Sequence, residues 1–214
     1  MTLIFRRGYH YLSRLYPFLR SQFYIILNRF NLFCNGVQYG TNLRIFDRIY
    51  LTMLPGSRIN IGNNFTFSSG DGINPLCRNI RGKIFVGKNA EITIGNSTGI
   101  SSACLWAKEK ISIGNFVNIG GDCIIMDTDA HNLDWHIRAG DKIDENGNSV
   151  SDILTAKSAP ISIGDYVFIG TRCIILKGVT IGSKSIIAAG SVVTKSVPEN
   201  CLAGGNPCRA IRKL

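Results

Sequence analysis

Hydrophobic positions recur every six residues through the C-terminal part of the chain. Aliphatic side chains stand at Ile163, Ile169, Ile175, Ile181, Ile187 and Val193. Four places after each comes a small or β-branched residue: Val167, Cys173, Val179, Ser185, Ser191 and Val197. The residue just after the aliphatic is mostly small, as at Gly164, Gly170, Gly182 and Ala188. The same lattice appears upstream at Ile113-Gly114, Ile119-Gly120 and Ile125, with Val117 and Cys123 in the companion positions. Shorter pieces lie at residues 59–62, 86–87 and 92–95. A helix repeats near 3.6 and a single strand near 2, so neither yields an Ile-Gly step every six residues. A period of six predicts an all-β solenoid in which each hexad forms one face of a triangular coil, about 18 residues per turn. Inward aliphatics then stack on their equivalents one coil above, and small residues turn the corners. Neighbouring coils satisfy each other's backbone groups.

The pattern breaks in three places. Residues 63–83 are irregular, and residues 132–159 contain GDKIDENGNSVSD, whose turn formers and charges predict a loop thrust out of the coil. Long excursions from a rigid scaffold often carry function. Residues 3–33 mix aromatic and basic side chains without hexads and predict a helical cap covering the first coil, or an interfacial anchor whose arginines meet anionic lipid. The expected organisation is a cap segment over residues 1–40 and a coil domain over residues 41–214 with the 132–159 loop inside it.

Composition narrows the partners. Hydrophobic residues make up 45% and charged residues 18% of the chain, which is globular rather than disordered. The formal charge is +10, and residues 1–46 hold six arginines without an Asp or Glu. Such an excess suits nucleic acid, anionic lipid or a phosphorylated small molecule, or is simply a solvated surface. No helix-turn-helix, zinc-finger or RNA-binding signature accompanies it, so no nucleic-acid partner is expected. The seven cysteines include no Cys-x-x-Cys pair, which argues against a disulfide framework or structural zinc and fits a reducing cytoplasm. Cys123 and Cys173 fall on the lattice and read as small core residues. No run approaches the ~18 apolar residues of a membrane span, and no signal peptide is expected.

Residues 161–212, ISIGDYVFIGTRCIILKGVTIGSKSIIAAGSVVTKSVPENCLAGGNPCRAIR, resemble the C-terminal half of hexapeptide-repeat acetyltransferases, and within them the sugar and polysaccharide O-acetyltransferases. The AGSVVTK stretch followed by GNPCRAIR is the specific part. The resemblance implies a left-handed parallel β-helix, a homotrimer with active sites in the clefts between neighbouring coils, and acetyl-CoA as acyl donor. It places Gly170, Thr171 and Ala189 along the pantetheine arm, Thr194 and Lys195 near the nucleotide end, and Arg209 and Arg212 near the coenzyme phosphates. Small residues let the arm lie close to the coil, and arginine pairs with phosphate by charge-assisted hydrogen bonds. Phe168 stands where the family often has Trp. Where several relatives place an acceptor-binding Asn, this chain reads GISSACLW, so Ser101 or Ser102 would substitute.

The chain has three histidines: His10, His131 and His136. His131 follows IIMDTDA, where the lattice would place the next inward aliphatic after Ile125, and it marks the start of the loop. The resemblance puts the catalytic histidine there. A neutral imidazole, of ordinary pKa ~6.5, can take the proton of an acceptor hydroxyl as its oxygen attacks the thioester. Asp127, Asp129 and Asp134 are candidates to orient the ring, with Asp129 preferred, and Asp127 is also placed beside the substrate. Trp135 could stack on a sugar ring or pack the loop. Trimeric hexapeptide carbonic anhydrases bind zinc through three histidines, but His131 and His136 have no third partner on the coils, so no metal is expected. The remaining readings are a non-catalytic scaffold or membrane-associated assembly module, and acetyl transfer to serine, an antibiotic or an amino sugar. The expected setting is the cytoplasm, with peripheral contact at the inner face of the membrane through the basic N-terminal segment.

Overall fold

The computed structural model describes residues 2–70, 74, 76 and 80–214, leaving aside the side chains of residues 2–7, 10, 11 and 14. Cys77 and the side chains of Arg6, Arg7, His10 and Arg14 lie outside the described residues.

The described strands are β1–β20 in chain order; β1–β18 are dealt in rotation to three sheets, and β19 and β20 both join the second. The first sheet holds β1 (Gln38–Tyr39), β4 (Arg58–Ile61), β7 (Glu91–Ile94), β10 (Lys110–Ile113), β13 (Ile161–Ile163) and β16 (Thr180–Ile181). The second holds β2 (Arg44–Phe46), β5 (Thr66–Ser68), β8 (Gly99–Ser101), β11 (Asn118–Ile119), β14 (Phe168–Ile169), β17 (Ile186–Ile187), β19 (Cys201–Gly204) and β20 (Arg209–Lys213). The third holds β3 (Tyr50–Met53), β6 (Lys83–Val86), β9 (Cys104–Ala107), β12 (Ile124–Met126), β15 (Ile174–Ile175) and β18 (Val192–Val193). Each of β1–β15 pairs in parallel with the strand three later, which is the connectivity of a three-faced coil, and β17 pairs in parallel with β19. Among the described strands only β19 and β20 pair antiparallel, folding the C-terminus back across the last turn.

Register places like on like. Ile61, Ile94, Ile113, Ile163 and Ile181 stack through the first sheet, and Ile84, Leu105, Ile125, Ile175 and Val193 through the third. All ten are buried. The companion positions Val167, Cys173, Val179, Ser185, Ser191 and Val197 also face inward, so each hexad buries two side chains. The two buried serines are satisfied: Ser185 donates to the Pro198 carbonyl at 2.7 Å and Ser191 to that of Ala188 at 2.5 Å.

One corner shows why small residues follow the aliphatics. The backbone N–H of Thr41, Asn63, Asn96 and Asn115 each donates to the side chain one coil on, Asn63, Asn96, Asn115 and Asp165 respectively, at 2.7–2.8 Å. The coils approach so closely that a Cβ on Gly95 would lie 2.6 Å from the carbonyl of Gly114. Next to this ladder Phe116 and Tyr166 adopt positive φ, which bulky residues rarely do, and their rings stack 4.9 Å apart.

The structure amends three expectations. Residues 63–83 are not wholly irregular: β5 lies within them, with Phe65 and Phe67 buried. The coil's first strand starts at Gln38. The N-terminal segment is one helix, α1 (Thr2–Cys34), but it covers the coil along one face only. Leu32 is buried, Asn28 donates to the Asp47 carbonyl at 2.7 Å and Arg20 pairs with the Asp47 carboxylate. Leu12, Tyr16, Phe23 and Phe30, expected over the first coil, are exposed instead.

Candidate active site

The excursion of residues 132–159 is built around one histidine. After β12 the chain turns out of the coil on the buried carboxylate of Asp127. It accepts the backbone N–H groups of Lys108 at 2.6 Å, Glu109 at 2.8 Å and Lys110 at 2.6 Å. Burial pushes this carboxyl above the usual range, against the pull of those three amides. Two short helices follow, α2 (Trp135–Ala139), capped by Asp134, and α3 (Asp152–Thr155), capped by Ser151.

Asp152, first residue of α3, holds His131. Its Oδ2 lies 2.5 Å from Nδ1 of the ring, and its Oδ1 accepts the Asn132 N–H at 2.6 Å. These two donors, the ring first, keep the Asp152 carboxyl below the ordinary carboxylate range. An ionised carboxylate can only accept, so Nδ1 carries a proton, and in the neutral tautomer of the ring Nε2 presents its lone pair. The His131 side chain is 64% exposed, leaving that nitrogen open to a substrate.

Lys108, at the end of β9, fixes α3 in turn. Its ammonium donates to the carbonyls of Ile153 at 2.8 Å, Leu154 at 3.1 Å and Ala156 at 2.5 Å. Asn132 donates to the Thr155 hydroxyl at 2.9 Å, and Arg138 to the Asn132 carbonyl at 2.6 Å. The ring is thus carried by a braced loop.

Several sequence-based assignments shift on this geometry. His131 does not take an inward lattice position, because the chain has left the coil at Asp127. Asp129 is not the residue against the ring: its Oδ1 accepts from Lys177 at 2.6 Å, and its buried Oδ2 has no hydrogen-bond partner among the described residues. Asp127 is buried and committed to backbone amides, so it is not available to a substrate. Asp134 accepts from the His136 N–H at 3.0 Å and caps α2. Trp135 is 59% exposed and stacks on the His136 ring. Among the described residues, no three His, Cys, Asp or Glu side chains gather to hold a metal ion.

A groove of about 510 Å³ runs along the second sheet, lined by β5, β8, β11, β14 and β17 and the turns after them. Gly170, Thr171, Ala189 and Ser101 line it, together with Phe168 and Asn118. Ser102 does not: it is buried at positive φ and its hydroxyl accepts the Gly70 N–H at 2.9 Å. Arg209 and Arg212 lie exposed on β20 at the far end of the same sheet. Thr194 and Lys195 are exposed after β18, in the third sheet, and are not brought to this groove.

Residues 160–195 match the family described as the hexapeptide repeat of succinyl-transferase. The C-terminal coils are hexapeptide repeats. Over 58 residues the chain is 47% identical to a Staphylococcus aureus (strain COL) protein provisionally named an acetyltransferase, a match spanning 27% of this chain and 29% of that one. The structure resembles the hexapeptide-repeat acetyltransferase of Vibrio cholerae O1 biovar eltor complexed with acetyl-coenzyme A, at 28% identity and TM-score 0.53, covering 75% of this chain and 72% of that one. It also resembles the polySia-specific acetyltransferase NeuO, at 28% identity and TM-score 0.57, covering 83% and 70%.

The hexapeptide repeat explains what sequence reading missed. Asp152 lies inside the excursion, and Lys108 and Lys177 stand on coil turns at positions that do not repeat from hexad to hexad, so no period marks any of them. The one local signal was Ser151 before Asp152, a helix-start pair inside a loop that was read as irregular.

Proposed function

We propose that this chain is an acetyl-CoA-dependent O-acetyltransferase, built as a left-handed β-helix, that acetylates a hydroxyl of a sugar or polysaccharide precursor. The observation that carries the reading is the exposed His131 ring held by Asp152 at 2.5 Å. That arrangement leaves Nε2 free to accept a proton. The likeness to an acetyltransferase holding acetyl-coenzyme A supports the donor, and the likeness to a polySia-specific enzyme supports a glycan acceptor.

In the proposed reaction, Nε2 of His131 takes the proton of the acceptor hydroxyl as its oxygen bonds to the thioester carbonyl carbon. The C–S bond then breaks, and the imidazolium returns the proton to the departing thiolate. Asp152 stabilises the charged ring and holds the tautomer. The groove on the second sheet takes the pantetheine arm past Gly170, Thr171 and Ala189, with Arg209 and Arg212 toward the phosphates. His131 is not part of that groove's lining. A second copy packed alongside would bring ring and groove together, and this supports the homotrimer.

Mass spectrometry of acetyl transfer from acetyl-CoA across a panel of glycans and nucleotide sugars tests the reading. An added acetyl released by mild base is the expected product. Silence across the panel with full turnover on serine, or the absence of any thermal protection by coenzyme A, would overturn it.

A further inference from the structure

α1 carries a feature that the proposed chemistry does not use. From Leu12 the exposed apolar residues step by four and three in alternation, through Tyr16, Leu19, Phe23, Ile26 and Phe30 to Phe33. This spacing places them on one stripe of the helix. Their exposures run from 55% at Leu19 to 77% at Phe33. The stripe lies opposite the face that meets the coil, where Asn28 and Leu32 are buried. Every described side chain of residues 8–19 is exposed, so this half of the helix does not lie against the coil.

Such a stripe suits either a second copy of the helix or a lipid surface, and charge separates the two. α1 contains five arginines and no Asp or Glu; Arg20 is paired with Asp47 and Arg29 donates to the Leu43 carbonyl, and the excess carried by Arg6, Arg7 and Arg14 would be set side by side in paired copies, with no acidic residue on the helix to offset it. Pro17 also removes a backbone donor inside the helix, which a tightly paired rod tolerates poorly. An anionic bilayer meets both features, since acyl chains take the aromatic and aliphatic stripe and headgroups attract the arginines. Among the described residues no helix is long and apolar enough to cross a membrane. We infer that α1 lies in the plane of an anionic membrane surface and docks the coil there. This inference is independent of the acetyl-transfer reading.

Co-sedimentation of the full chain with lipid vesicles tests it. The chain should pellet with phosphatidylcholine vesicles containing phosphatidylserine, far less with phosphatidylcholine alone, and less as salt is raised. The double substitution Phe23→Ser, Phe30→Ser should weaken partitioning by about a hundredfold or more, since two buried rings are lost. Equal binding to both vesicle types, or none, would overturn the inference. So would a double variant that lowers the oligomeric mass in light scattering while vesicle binding is unchanged, because the stripe would then join copies of the chain.

Discussion

Nδ1 of His131 lies 2.5 Å from Oδ2 of Asp152, so the first residue of a short helix sets the proton position on a ring 21 residues earlier. His131→Ala should lower kcat by about 10²–10⁴ and leave coenzyme affinity nearly unchanged, as expected for a general base. Asp152→Asn should lower kcat less. Unchanged kcat in the asparagine variant would show that Asp152 does not govern the ring.

Lys108 tests whether the loop is positioned at a distance. Its ammonium touches the carbonyls around the end of α3, not the histidine. Lys108→Met should loosen α3 and carry Asp152 away from the productive position, costing up to about 10² in kcat, the scale of a displacement near 1 Å. Lys108→Arg should restore part of the loss. Hydrogen exchange across residues 150–156 should quicken in the methionine variant, and unchanged exchange alongside unchanged kcat would leave Lys108 a surface cation.

The coil was legible in the sequence because its physics is periodic. Ile163, Ile169 and Ile175 each satisfy the same inward slot, and a six-residue spacing is all that the stacking requires. The shorter pieces at residues 59–62 and 92–95 overlap the strands β4 and β7, which lie in register with the later coils. The site was legible only in part. His131 was found through resemblance, whereas Asp152 was not, because its position depends on how a 28-residue excursion folds back. Asp129 was preferred for its nearness in sequence, but Lys177 from the next coil claims its carboxylate. Nearness along a chain that is turning out of a solenoid says little about which way a side chain faces. For α1 the sequence leaves a cap over the coil and an interfacial anchor both open, because apolar composition alone does not say which face of a helix is buried.

Acid should loosen the excursion over a definable range. Asp152, Asp134 and Asp144 are all held below the usual carboxylate value, by hydrogen bonds from His131, from the His136 N–H and from the Asn148 N–H respectively. A carboxyl depressed in the folded state stabilises it fully above the unfolded pKa, about 3.9. That contribution is lost as pH falls through the depressed value. Loop order, followed by hydrogen exchange over residues 132–156, should therefore hold from neutral pH to about 4 and decline below. A transition centred near neutral pH would show that other groups govern the loop.

The corner glycines should be intolerant of a single methyl group. A Cβ on Gly95 would press on the Gly114 carbonyl, which is backbone and cannot swing aside. Gly95→Ala should destabilise the coil by about 1–3 kcal/mol, seen as a lower Tm, with activity per folded molecule retained because Gly95 lies outside the second-sheet groove. Gly8→Ala is the matched control. Nothing lies within 4 Å of a Cβ there, and alanine favours the helix by up to ~1 kcal/mol, so its effect should be neutral or stabilising.

Two sets of cations are candidates to meet the coenzyme phosphates in the proposed reaction, and the sheets distinguish them. Arg209 and Arg212 sit on β20, in the sheet that forms the groove, whereas Lys195 follows β18 in the third sheet. A thioester arm lying along Gly170 and Ala189 runs within the second sheet toward β20, so the arginines should carry the charge-assisted contacts. A lost contact of that kind is worth about 1.5–3 kcal/mol. Arg209→Ala should therefore weaken coenzyme A binding by about tenfold or more, with the acceptor KM little changed, while Lys195→Ala should leave coenzyme binding near that of the parent. Titration of both variants decides between the faces. If Lys195→Ala proves the damaging change, the arm follows the corner between the third and first sheets, and the groove at Gly170 must serve the acceptor instead.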